Sequence, residues 1–142
     1  VGNRVLRDDS ECIPGDKVKV TRIDDIVEAE ERYPQVIKID VEGWETPAVR
    51  GAAQTLAMDS TKVLIVEQTG QGKKYGFDER ELDSLIIGYG YTSCCYDPYE
   101  RRITSGSISR RNSPNRLYIK DLEGAAKRVA TARKIPFAGG FI

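Results

Sequence analysis

The sequence predicts an α/β domain built on a largely parallel sheet. Three observations carry that expectation. Two short apolar runs, Val36 to Ile39 and Val63 to Val66, have the length and continuous hydrophobicity of strands buried on both faces. Between them Val49, Ala52, Ala53 and Leu56 recur at i, i+3, i+4 and i+7, the stripe of a helix that crosses back over a sheet. The order strand, helix, strand, helix, strand then continues to residues 91–96.

In chain order, the alternation of Lys17, Val18, Lys19 and Val20 predicts a half-buried strand at 17–21. Asp24 is placed as the N-cap of a short helix, with Ile23, Ile26 and Val27 as apolar contacts. A strand follows at 36–40. Pro47 suits the first turn of the next helix. Gly51 inside that helix costs about 1 kcal/mol relative to alanine, a sign of close packing on the sheet. The strand at 63–67 ends in Glu67, and "TGQGKKYG" after it reads as a flexible loop. Asp78 and Glu81 stand in capping-box spacing ahead of Leu82, Leu85 and Ile86, with Gly90 as the helix stop. A strand at 91–96 and a polar loop at 97–115 come next, the loop holding Arg101, Arg102, Arg110 and Arg111. A short strand at 116–119, a helix over "LEGAAKRVATAR" and an apolar tail "KIPFAGGFI" complete the chain.

A chain of 142 residues, 39% of them hydrophobic, is long enough for one domain that needs neither disulfides nor metals to fold. Lysine and arginine total 22 and aspartate and glutamate 22, so the net charge is zero and neither nucleic acid nor a membrane is an expected partner. Apolar runs reach about four residues, far short of the roughly 20 a membrane span needs. Residues 1 to 15 are polar and charged, with no secretory leader expected among them. The cysteines are Cys12, Cys94 and Cys95, a set that fits free thiols in a cytoplasmic protein. With no histidine present, Ser-His-Asp and Cys-His catalysis and the common zinc hydrolases are excluded, and no metal is expected. Catalysis must then rest on carboxylates, lysine, tyrosine or a bound cofactor.

In parallel α/β sheets, ligands bind beyond the carboxyl ends of the strands. Asp40 and Glu67 stand at two such ends, and a right-handed crossover through residues 46 to 58 places them side by side. Glu42, Gly43, Trp44 and Glu45 follow Asp40 at once. Each glutamate also has a plain role there, complementing a helix dipole for about 0.3–1 kcal/mol. The plain role of Trp44, the only tryptophan, is half-buried packing.

The segments "VTRIDDIV", "VIKIDVEGWETPAVRGAAQTL" and "VLIVEQ" resemble the FkbM-type methyltransferases, which use S-adenosylmethionine. Thr21, Asp24 and Asp25 match one piece of the family pattern, with Arg22 and Ile23 as departures. Lys38, Ile39, Asp40, Val41, Glu42, Gly43 and Glu45 match a second piece without a gap, Gly51, Ala52 and Leu56 a third, and Glu67 a fourth. The resemblance implies a Rossmann-like methyltransferase sheet, mostly parallel with one antiparallel strand. It places the segment 116–119 as that strand, between those at 63–67 and 91–96. The glycine-rich first strand, loop and helix of such folds has no counterpart here. Residues 1–142 are therefore expected to be a single partial domain, the C-terminal half of the fold. On that expectation the chain alone binds S-adenosylmethionine weakly or not at all. The free edge of the strand at 36–40 is then covered by another chain or a missing N-terminal half, by residues 1–21, or by the tail.

The resemblance implies an S-adenosylmethionine-dependent O-methyltransferase acting on a hydroxyl of a sugar, lipid or secondary metabolite, a small-molecule or glycan acceptor. Asp40 and Glu42 are the catalytic candidates: Asp40 orients the hydroxyl or the cofactor's sulfonium and amino groups, and Glu42 takes the hydroxyl proton. Trp44, Glu45 and Glu67 are candidate substrate-binding residues. One alternative is a non-catalytic half-domain, accessory or truncated. Another is a sugar-nucleotide transferase using Asp40-x-Glu42 to bind a metal.

Overall fold

The computed structural model describes residues 18–106, 113–137 and 140–141. Its centre is a five-stranded sheet assembled from β1 (Val36–Ile39), β2 (Val63–Glu67), β3 (Thr92–Asp97), β4 (Arg102–Ser105) and β5 (Asn115–Ile119) in the order β1-β2-β5-β3-β4. β1 and β2 pair in parallel, and β5 runs antiparallel between β2 and β3. That is the inserted strand implied by the resemblance. β1, β2 and β3 thus share one direction. The sheet is nevertheless not mostly parallel by its ladders: one pair is parallel and three are antiparallel, because β5 and β4 both run against their neighbours.

β4 lies inside the segment expected to be a polar loop. The reversal before it is made by Asp97, whose Oδ1 accepts the N–H groups of Tyr99 and Glu100, and by Arg101 at φ +51°. Arg101 also donates to the carbonyls of Val129 and Ala132 at the C-terminal end of α5 (Leu122–Thr131), where a cation meets the negative helix end. Arg110 and Arg111 lie outside the described residues. The strand expected at 17–21 is absent from its described part. Val18 and Val20 are 77% and 84% exposed, and no described strand offers them a ladder. β1 pairs only with β2 among the described residues, and Val36 on it is exposed. In the tail, β6 (Pro136–Phe137) and β7 (Gly140–Phe141) pair with each other.

Four of the helices supply side chains to the core that packs on the sheet. α1 (Ile23–Glu30), α2 (Glu45–Arg50), α3 (Ala53–Ala57) and α4 (Glu79–Gly88) are short, so packing rather than intrinsic propensity holds them. Val49, Leu56, Leu82 and Ile86 bury themselves on Ile39, Leu64, Val66 and Tyr118, each apolar side chain contributing about 1.5–3 kcal/mol. The single helix expected over 46–58 is two helices, broken at Gly51 and Ala52. The break has a use. The Gly51 carbonyl accepts the Asp24 N–H. The buried Asp24 carboxylate accepts the N–H groups of Gln54 and Thr55 and the Thr55 hydroxyl. Asp24 therefore caps α3, not its own helix, whose N-cap is Arg22. Asp78 caps α4 as expected, through the Arg80 N–H, while Glu81 pairs with Arg50 instead of closing the capping box. No described helix is long and apolar enough to cross a membrane.

Candidate active site

The β1–β2 register aligns Ile39 with Val66, so the next residues along, Asp40 and Glu67, emerge side by side at the carboxyl ends of the strands. The chain then turns sharply. Glu42 at φ +53° and Gly43 at φ +103° are both left-handed, and for Glu42, which has a Cβ, that conformation must be enforced. Glu45 enforces it. Its carboxylate Oε1 accepts the N–H groups of Val41 at 3.2 Å and Gly43 at 3.1 Å, and the residue is only 7% exposed. Glu45, a candidate for the substrate, is thus spent on its own loop.

This turn brings three carboxylates together. Asp40, Glu42 and Glu67 each present an oxygen, and these oxygens lie within 4.8 Å of one another. Lys38 reaches Asp40 at 2.5 Å, and it holds the Asp40 carboxyl below the ordinary range. Glu67 is pushed the other way. Partial burial raises its pKa first, then the charges of Asp40 and Glu42, a hydrogen bond to Asp40, and the charge of Glu45. Glu67 therefore keeps its proton to higher pH than an ordinary glutamate. The cluster has the spacing to hold a cation, either a metal or the positive sulfur of a sulfonium.

The segment after β2 closes over the turn. A 3-10 helix, Gln71–Tyr75, lies between Gly70 and Gly76, both at positive φ. Gln71 Nε2 donates to Glu42 Oε2. A Cβ added to Gly43 would sit 2.9 Å from the Gln71 carbonyl carbon and 3.0 Å from Tyr75 Cε2, so only glycine admits this approach. Trp44, a candidate for stacking on the substrate, packs edge-on against Tyr75 at 5.5 Å and Phe77 at 6.3 Å, and its Nε1 is buried with no acceptor among the described residues. Behind Glu67, Gln68 Nε2 donates to Asp83 and to the Tyr118 hydroxyl, both at 2.9 Å, tying the end of β2 to α4 and β5. The stretch "TGQGKKYG", expected to be a flexible loop, is an ordered wall of the site. Its two bracketing glycines were the available signal.

The family model of the methyltransferase FkbM domain matches residues 8–93, more than half of the chain. This chain belongs to the FkbM methyltransferase domain family. The matched span takes in Asp40, Glu42, Glu45, Glu67 and Gln71, so the whole carboxylate cluster lies within the FkbM domain. Neither the curated proteins nor the solved structures yield a match.

Proposed function

We propose that the carboxylate cluster is the reacting end of an S-adenosylmethionine-dependent O-methyltransferase site, with a hydroxyl of a sugar, lipid or secondary metabolite as acceptor. The observation that supports this best is the juxtaposition of Asp40, Glu42 and Glu67 at the strand ends of an FkbM domain. When bound, S-adenosylmethionine supplies a methyl group on a positively charged sulfur. Three clustered carboxylates suit that charge, and Asp40, central to the cluster through its contacts with Lys38 and Glu67, is the residue to hold it. Glu42 would accept the proton that the acceptor hydroxyl loses. Glu67, whose pKa is raised by burial and by the neighbouring carboxylates, lines the same tip beside Asp40. The neighbouring residues Glu45 and Trp44 act one step back, by shaping the turn.

The test is transfer of labelled methyl from S-adenosylmethionine to hydroxyl acceptors by the protein as encoded, with Asp40→Asn and Glu42→Gln alongside. Losses of about a hundredfold in turnover are expected for each, the scale of a general base or an electrostatic contact at the reacting centre. Transfer undiminished in both variants would contradict the assignment. A second reading rests on the same cluster: transfer that requires a divalent cation and a sugar nucleotide, and ignores S-adenosylmethionine, would move the function to a metal-dependent sugar-nucleotide transferase.

A further inference from the structure

Glu42 is reached by one side chain from the segment after β2. Gln71 Nε2 donates to Glu42 Oε2, and Gln71 Oε1 accepts Lys74 Nζ at 2.5 Å. The order of that chain is forced. A carboxylate can only accept and an ammonium can only donate, so the amide cannot flip without breaking both bonds. The backbone beneath is equally constrained, because Gly43 lets the Gln71 carbonyl approach to a distance no side chain would allow. The Gly70 N–H is anchored in turn on Glu79 at 2.6 Å, which ties the start of this segment to α4. Glu42 is thus gripped twice, through the N–H groups of its neighbours Val41 and Gly43 by Glu45 and through its side chain by Gln71.

We propose that Gln71, aimed by Lys74, is a positioning residue that holds the Glu42 carboxylate against Asp40 and Glu67. Its importance for methyl transfer rests on the reading of Glu42 as the proton acceptor, but the positioning itself does not. A readout independent of catalysis lies in the contact itself: the Gln71 amide protons stand against Glu42 while the Gln71 carbonyl oxygen is held by Lys74.

The experiment is NMR of the full chain at one pH, following contacts between the Gln71 amide protons and the Glu42 side chain and the solvent exchange of those protons in wild type, Lys74→Met and Lys74→Arg, with the Glu42 side-chain resonances followed in Gln71→Met. Wild type is expected to show the contact and slowed exchange, Lys74→Met faster exchange that Lys74→Arg restores, and Gln71→Met, which keeps the length of the side chain and removes the amide, displaced Glu42 resonances. No Gln71–Glu42 contact in wild type, or Glu42 resonances unmoved in folded Gln71→Met, overturns the proposal. If Gln71→Met does not fold, the wild-type contact decides. Exchange unchanged in Lys74→Met overturns the part assigned to Lys74. The contact present in a protein that transfers no methyl would sustain the positioning and sink only the methyltransferase reading.

Discussion

Two groups of carboxylates in this chain have opposite surroundings. Asp24 is buried at 6% exposure, yet its oxygens meet two backbone N–H groups, a hydroxyl and the Arg22 guanidinium. Burial alone would raise its pKa, but those bonds outweigh it and the net shift is downward. Asp40, Glu42 and Glu67 face one another; Lys38 lowers the pKa of Asp40 and Gln71 donates to Glu42, while at Glu67 the balance is upward. A carboxylate surrounded by donors is a structural part. Carboxylates gathered at strand ends, with one pKa raised, mark a candidate site for a cationic ligand. A surface hollow lies beside Asp24, lined also by Val27, Glu28, Tyr33, Gln54 and Thr55, but the carboxylate there is already satisfied.

The sharpest way to break this comparison is to delete the structural member. Asp24→Ala removes the cap of α3 and strands the buried donors of Thr55, so a loss of about 2–4 kcal/mol in chemical denaturation is expected. A loss under about 0.5 kcal/mol would mean that Asp24 is not what holds α1 to α3. Gly43→Ala comes next. The left-handed φ of +103° and the 2.9 Å approach to Gln71 predict a loss of about 1–3 kcal/mol, read from the same denaturation curves.

The pH dependences separate the two groups further. The lowered pKa of Asp24 means that its contribution to stability is present above the unfolded value and is lost as pH falls through the folded one. In Asp24→Asn the acid limb of the stability curve, below about pH 4, should flatten. Glu67 has the opposite sign. Its raised pKa makes ionisation costly in the folded state, and that cost grows as pH rises through its midpoint. Glu67→Gln should therefore be slightly more stable than wild type near neutral pH and equal to it in acid. A variant less stable than wild type at neutral pH would show that the clustered charge stabilises the tip.

Much of this was legible in the sequence because local pattern and tertiary outcome agree. The apolar runs at 36–39 and 63–66 are β1 and β2, and their pairing sets Asp40 beside Glu67 as the crossover argument required. The antiparallel insertion of β5 came from the resemblance, since "RLYI" alone says nothing about direction. What local pattern did not show has a common cause. Whether Glu45 faces a substrate or folds back onto Val41 and Gly43 depends on a left-handed Glu42, which no single-residue preference announces. Gln71 sits between glycines that read as flexibility, yet they fix the ends of an ordered turn. Val18 and Val20 have the alternation of a strand but no described partner to pair with, and alternation without a ladder does not make one.

The central proposal is that S-adenosylmethionine would meet this chain at the Asp40, Glu42 and Glu67 cluster and not at the Asp24 region. The direct measurement is a titration of the nitrogen-15-labelled chain with millimolar S-adenosylmethionine, followed by amide resonances in wild type, Asp40→Asn and Asp24→Asn. The account predicts shifts at residues 40–45 and 67–71 in wild type and in folded Asp24→Asn, and their loss in Asp40→Asn. Shifts centred on Asp24, Gln54 and Thr55, or tip shifts that survive Asp40→Asn unchanged, would contradict it.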